Sequence, residues 1–450
     1  MLQPDRETRA EWTKTVTAFV DEFIEGLEAA PASAPGTALL PPAPAETPGE
    51  LADLLTQFAA AASQAVETAG PRYLAYFPAG GLYSSVLAEF AAQATNRFTG
   101  VASTAPALVA MEHSIIRWFC DEFGLPPAAG GIFTTGASLA TLSAVHTARQ
   151  DRLKAHDPNG TIYVTPHTHH CVAKAAHITG FPPERIRQVP TDAHLRMDVQ
   201  AAQAMIADDR AQGLRPFLII GTAGATSTGI VDPLDDIADL AHRESLWFHV
   251  DGAYGGAFQL TERGRAILHG IGKADSIAWD PHKSLFLPYG TGVLLVRDEA
   301  KLRAAHVADG DYLQDLDHGT GVPDYSDLGP ELTREFRGLR VWLPLHLHGV
   351  KAFRDALDEK HDLADHLRTE LAKIENIELL PSDLTVVVFR SANSEQLLKA
   401  INDSGRFFLS STRLGGEFTL RICVLSHRTH EEHVDEVIEL VRRWSAPPAK

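Results

Sequence analysis

Ser276–Lys283, SIAWDPHK, places a histidine and a lysine side by side at the end of an apolar run. The run reads as a strand that stops at Asp280-Pro281 and then presents His282 and Lys283 together. A lysine fixed in such a place can serve as an imine-forming amine; a surface lysine after a turn is the plainer alternative. About thirty residues earlier, Trp247–Gly256 reads WFHVDGAYGG, an apolar strand that ends on Asp251. A carboxylate at a strand's C-terminal end lies where α/β sheets place their ligands, although aspartate also caps turns and helices. Gly131–Ser138, GIFTTGAS, runs from a short strand through Gly136, Ala137 and Ser138 into a helix. Backbone N–H groups at such a helix start, with hydroxyls beside them, bind phosphate dianions; small residues also make ordinary helix caps. The stretch lacks the GK[ST] of a Walker loop and is no dinucleotide fingerprint.

Thr165–Ala176, TPHTHHCVAKAA, holds His167, His169 and His170 just after another strand. Histidine is the commonest metal ligand, but these three lack i,i+4 spacing and no nearby Cys or Glu completes a zinc set. No metal site is expected. One imidazole stacked on a planar cofactor ring is the alternative use. Cys171 opens an apolar helical run and reads as buried structure rather than as a nucleophile. Pyridoxal 5′-phosphate (PLP) needs an amine, an acid for its pyridine nitrogen and a phosphate cradle. Lys283, Asp251 and the Gly136–Ser138 turn are of those three types.

These residues need elements to hold them. The chain has 450 residues, 44% of them hydrophobic and 22% charged, which suits a globular α/β protein. Its net charge of −18 argues against nucleic acid or an anionic membrane as partner. Three cysteines form no CxxC pair, which excludes a disulfide scaffold. The N-terminus has no signal-peptide pattern and no apolar run is long enough to span a membrane, so a cytoplasmic protein is expected. Candidate strands are Gly131–Thr134, Thr161–Thr165, Ile186–Val189, Phe217–Gly221, Trp247–Val250, Ser276–Trp279 and Gly292–Val296. Helical windows such as Ser138–Ala155 and Leu234–Glu244 separate them, which implies a largely parallel sheet. The rhythm changes near residue 340. A long helical stretch, Val350–Ile374, precedes strands Thr385–Phe389, Phe407–Ser411 and Phe418–Val424, then a helix from Glu431. At the other end, Trp12, Val16, Phe19, Val20, Phe23, Ile24 and Leu27 form an apolar helical stripe that must dock on the body or on a second subunit. Six prolines between Pro31 and Pro48 read as an extended linker. The division expected is 1–70 (N-terminal helix and linker), 71–340 (large domain) and 341–450 (small domain).

Taken in order, these stretches resemble the group II PLP-dependent amino-acid decarboxylases, which include aromatic-amino-acid, histidine and glutamate decarboxylases. The motifs that carry the resemblance are RYLAYFP (Arg72–Pro78), GIFTTGAS, HHCVAKAA, HVDGAYGG, DPHK, LTREFRGLRVW (Leu332–Trp342) and LRICVLSHRT (Leu420–Thr429), across roughly residues 65 to 445. The resemblance implies the PLP-dependent aminotransferase fold, type I: a large domain with a mostly parallel seven-stranded sheet and a small α+β C-terminal domain. It implies a homodimer with active sites at the subunit interface. By matching position, Lys283 would be the Schiff-base lysine, Asp251 the partner of the pyridine nitrogen, and His169 the residue stacked on the ring. Gly136, Ala137, Ser138 and His282 would hold the phosphate, with Thr222 near His169. Tyr76, Phe77 and Pro78, with His169, would face the substrate. Tyr325, eleven residues before Phe336, would be the loop tyrosine that protonates Cα.

The implied reaction converts an L-amino acid into CO₂ and a primary amine. Tyr73, Tyr76, Phe77 and Tyr83 crowd one segment and favour an aromatic substrate, with an acidic or other non-aromatic amino acid as the alternative. An aminotransferase or desulfurase would share Lys283 and Asp251 but grip the substrate carboxylate with a C-terminal arginine, for which Arg413 or Arg421 could serve. His170, where a small residue is usual, and Glu335, where a second basic residue is common, depart from the family pattern.

Overall fold

The apolar runs pair into one seven-stranded sheet in a computed structural model that describes residues 2–33, 36, 43–154, 157–307 and 321–445. Its strands are β1 (Gly130–Thr134), β2 (Gly160–Val164), β3 (Ile186–Gln188), β4 (Arg215–Thr222), β5 (Trp247–Asp251), β6 (Ser276–Trp279) and β7 (Gly292–Val296). Their order is β1-β7-β6-β5-β4-β2-β3. Only β7 runs against its neighbours; β6, β5, β4, β2 and β3 are parallel. Every residue of β1, β2, β5, β6 and β7 is buried, as strands covered on both faces require. Two antiparallel steps leave β1 pointing the same way as β6. The C-terminal ends of β1, β2, β4, β5 and β6 therefore share one edge of the sheet. Register sharpens this: Thr222 pairs with Asp251, and Asp251 with Ala278.

Helices cover both faces. In chain order they begin with α1 (Arg6–Gly26), α2 (Leu51–Ala62), α3 (Tyr83–Thr95), α4 (Pro106–Glu122), α5 (Ala137–Leu153) and α6 (Cys171–Ile178). The side chain of Asp5 accepts from Thr8 N at 2.8 Å and caps α1. Phe19 of α1 meets Phe58 of α2 edge-on at 5.9 Å. Yet no residue of α1 or α2 is buried. The expected linker is only partly described, since residues 34, 35 and 37–42 lie outside the described set. The sequence reading did not resolve α2 as a separate helix.

A second sheet holds β8 (Ile377–Leu379), β9 (Val386–Ser391), β10 (Ser410–Leu414) and β11 (Glu417–Cys423), all antiparallel, in the order β10-β11-β9-β8. The strand expected over Phe407–Ser411 begins three residues late for a physical reason. Phe407–Leu409 turn away from β11 toward the segment at residues 72–74. There Tyr73 bridges Phe408, Leu74 N donates to Phe408 O at 3.0 Å, and Cys423 N donates to Leu74 O at 2.8 Å. Residues just past the expected boundary at 70/71 thus pack on the small sheet, and Leu74 lies in its core.

Candidate active site

The shared sheet edge opens into a small recess. Each wall comes from a strand end. Ala137 and Ser138 begin α5 after β1; His169 and Cys171 follow β2; Thr222 closes β4; Asp251 closes β5; Asp280 and Lys283 follow β6. Phe77 completes the wall from the segment bound to the small sheet.

Asp280 ties two walls together. Its Oδ1 accepts from Ala137 N at 2.6 Å, and its Oδ2 lies 3.0 Å from Lys283 Nζ and 3.7 Å from His282 Nε2. His282 Nδ1 meets Thr291 O at 2.9 Å, and burial pushes this imidazole's pKa down, against the pull of Asp280. Lys283 Nζ also stands 5.4 Å over the ring of Phe77. That ring stacks on Tyr254 with centroids 4.3 Å apart. Gly292 is the residue that lets this edge close, because a Cβ there would come within 2.5 Å of the Gly136 backbone.

Asp251 is buried and accepts from Ala253 N at 3.1 Å. Burial pushes its carboxyl above the usual range, while the Ala253 N–H, Lys283 and His169 pull it back. His169 Nδ1 accepts from Cys171 N at 3.2 Å, which directs any ring proton to Nε2. Burial lowers the pKa of His169, against the pull of Asp251, and the His170 ring lies 4.1 Å away. Behind β4, the buried carboxylate of Asp232, pushed up to about 6 by burial, accepts from Thr222 N and Met197 N, each at 2.8 Å. The strand end is thereby fixed, but the buried Thr222 Oγ1 has no partner among the described residues.

This donor set fits PLP. Lys283 supplies the amine, Asp251 a buried carboxylate for a protonated ring nitrogen, and the start of α5 its helix N-terminus with the Ser138 hydroxyl. The orphaned Thr222 hydroxyl faces the same recess and lacks only a ligand. Gly136 and His282 stand just behind the wall, since a Cβ on Gly136 would lie 3.5 Å from His282 Cε1 and 3.8 Å from Asp280 Oδ1. Cys171 is on the wall with its thiol pushed up to about 12 by burial, which suits an inert residue.

Not every expected residue arrives. Tyr76 is 60% exposed at φ 45°, and neither it nor the buried Pro78 lines the recess. Tyr325 begins a short helical turn at Tyr325–Asp327 and is buried within this chain, off the recess wall. The Arg334 guanidinium covers its ring at 4.7 Å, and Arg334 pairs with Glu112 of α4 at 2.5 Å, both side chains 0% exposed. Within this chain Tyr325 packs under a buried ion pair. The rival arginines are also accounted for. Arg413 is exposed at the β10–β11 turn, and Arg421 donates to Thr226 O (2.8 Å) and Ser410 Oγ (3.1 Å); neither lines the recess. Asp280, Tyr254 and Thr226 are wall residues that the sequence reading did not assign. For Asp280 the signal was available, since it precedes the proline of the lysine motif.

The profile of the pyridoxal-dependent decarboxylase conserved domain matches residues 35–392. The chain is 35% identical over 386 residues to an aromatic-L-amino-acid decarboxylase of Bacillus atrophaeus, covering 83% of this chain and 80% of that protein. It is 30% identical over 397 residues to tryptophan decarboxylase 2 of Oryza sativa subsp. japonica, with the same shares covered. The fold matches the crystal structure of Oryza sativa TDC with PLP and tryptamine at a TM-score of 0.93, with 24% identity and 99% of each chain covered. The chain belongs to the pyridoxal-dependent decarboxylase family.

Proposed function

We propose that this PLP-dependent amino-acid decarboxylase acts on an aromatic L-amino acid, releasing CO₂ and the corresponding primary amine. The observation that carries the reading is the convergence of Lys283, Asp251 and the start of α5 on one recess, whose wall is the Phe77–Tyr254 stack. Bound there, PLP supplies an electron sink for the pair left on Cα when the carboxylate departs.

The protein's part is to hold and orient. Lys283 would anchor the cofactor through its Nζ. Asp251, anionic against a protonated ring nitrogen, keeps that proton in place while the ring gains electron density. His169, on the recess wall, would lie against the ring and keep it oriented. Gly136, Ala137, Ser138 and His282 hold the phosphate, and Thr222 donates its hydroxyl to the bound group. Phe77 would offer its ring to an aromatic side chain, and Tyr76 and Pro78 flank it along the chain.

The active unit is a homodimer. α1, α2 and α3 enclose an apolar hollow lined by Trp12, Val16, Val20, Leu51, Val86 and Phe90, with Trp12 47% and Phe90 65% exposed. A second copy would cover a face of this size and composition. Among the described residues no helix is long and apolar enough to cross a membrane. The free thiols of Cys120, Cys171 and Cys423 suit a reducing compartment, and we assign the protein to the cytoplasm.

The test is a panel of phenylalanine, tyrosine, tryptophan and glutamate, with CO₂ and amine measured for each. The aromatic substrates should exceed glutamate in kcat/KM by about a hundredfold or more, close to 3 kcal/mol. A higher value for glutamate would overturn the aromatic assignment.

A further inference from the structure

Tyr254 belongs to three parts of the molecule at once. It stands in the turn after β5 and is buried. Its ring stacks on Phe77 with centroids 4.3 Å apart. Its carbonyl accepts from the Oγ of Ser284, the residue next to Lys283. Its hydroxyl leaves the large sheet altogether, meeting Thr385 Oγ1 at 2.5 Å and accepting from Thr385 N at 2.7 Å. Thr385 is fully buried and leads into β9, and its carbonyl accepts from Val424 N, just past β11, at 3.0 Å. A second side chain crosses in the opposite direction. Arg421 of β11 donates from Nε to Thr226 O, in the loop after β4, at 2.8 Å, and its guanidinium stands 4.6 Å from the centre of the Phe77 ring.

We infer that Tyr254 is a positioning residue for substrate recognition: its hydroxyl, held by Thr385 of the small domain, fixes the Phe77 ring on which an aromatic side chain is to rest. This rests on the reading that the substrate is aromatic and meets Phe77.

The argument is one of packing. The Phe77 side chain has no polar atom, so its ring is placed only by what touches it. Two of its neighbours, Tyr254 and Arg421, are buried polar side chains, each hydrogen-bonded to the opposite sheet's part of the molecule. Close-packed rings cannot move independently, and a shift of Tyr254 becomes a shift of Phe77. Thr385 spends both its hydroxyl and its N–H on one phenol oxygen, so losing either hydroxyl leaves a buried polar group without its partner. The groups assigned to the cofactor are held otherwise. Asp280 holds Lys283 Nζ at 3.0 Å, and the Ala253 N–H holds Asp251 at 3.1 Å. Neither contact passes through Thr385. Breaking the Tyr254–Thr385 contact should therefore weaken the hold on a substrate ring and spare the cofactor. Loss of binding that ground state and transition state share appears in KM rather than in kcat.

The test is Thr385→Val, which keeps the shape of the side chain, removes its hydroxyl and alters a residue off the recess wall. The full-length, cofactor-loaded variant is compared with wild type on phenylalanine and tryptophan, with melting temperature and cofactor absorbance recorded alongside. KM should rise by about fivefold or more, while kcat stays within about threefold of wild type and the cofactor absorbance is unchanged. Thr385→Ser, which keeps the hydroxyl, should return KM to the wild-type value. Tyr254→Phe should raise KM as Thr385→Val does, and the two together should raise it no further, because both remove one contact. A wild-type KM in Thr385→Val, even with a lowered melting temperature, overturns the inference and leaves the contact as a brace of the fold. So does a Thr385→Ser KM as high as that of Thr385→Val. If Thr385→Val fails to fold, the KM of Tyr254→Phe decides by the same criterion. A wild type that turns over neither aromatic substrate would instead remove the functional reading, and this inference with it.

Discussion

Two groups of buried charge lie in this molecule, and they are built on opposite plans. Around Glu112, one carboxylate meets one guanidinium. Its Oε1 takes Arg334 and its Oε2 takes the Gly338 N–H at 3.1 Å, while Tyr325 packs against the guanidinium face. In the recess, Asp280 holds Lys283 Nζ at 3.0 Å, and the buried Asp251 has no ion pair among the described residues. Burial alone does not distinguish scaffold from site. The difference is whether the charges balance without a ligand: a balanced pair locks elements together, and an unbalanced group is completed by what it binds.

Substitutions in each group can break or sharpen that contrast. The largest effect is expected at Asp251. Asp251→Ala removes the counter-charge of the ring nitrogen, and kcat should fall by two or more decades, roughly 3 kcal/mol, with the fold intact. A kcat within about threefold of wild type would make Asp251 a capping residue, and the recess would lose its special status. Next is Arg334→Met, which leaves Glu112 charged and alone. It should lower unfolding stability by about 3–5 kcal/mol, measured by denaturant titration, and do so through folding rather than through the chemistry. A loss below about 1 kcal/mol would show that the pair is not a lock. The smallest effect belongs to Tyr325→Phe. Its hydroxyl is buried with no partner among the described residues, so removing it should leave stability unchanged or raise it by up to about 1 kcal/mol. The ratio of amine to CO₂ should fall, because the phenol expected to protonate Cα is gone. An unchanged ratio would leave Tyr325 as a core aromatic.

The sequence made some of this legible for physical reasons. Strands covered on both faces are almost wholly apolar, so β1, β2, β5, β6 and β7 stand out along the chain, and β5 ends on Asp251 while Asp280, His282 and Lys283 follow β6. What could not be read were contacts between distant segments. Tyr325 is buried because of Glu112, more than two hundred residues away, and spacing to Phe336 carries no information about that. Asp280 meets Ala137 across 143 positions. The late start of β10 follows from Phe408 bonding to Leu74, in a part of the chain expected to belong to the other domain. Tyr76 looked equivalent to Phe77, yet its positive φ turns the backbone and sends the two side chains to different fates.

The short segment at residues 72–77 has a mechanical meaning. It is hydrogen-bonded to the small sheet at Phe408 and Cys423, yet its end, Phe77, forms a wall of a recess whose other walls are strand ends of the large sheet. The gap between Phe77 and Lys283 is therefore not set by those two side chains. It is set by how the small sheet is seated, in the way that the opening of a pair of jaws is set at the pivot. Leu74, buried in the small sheet's core, is part of that pivot.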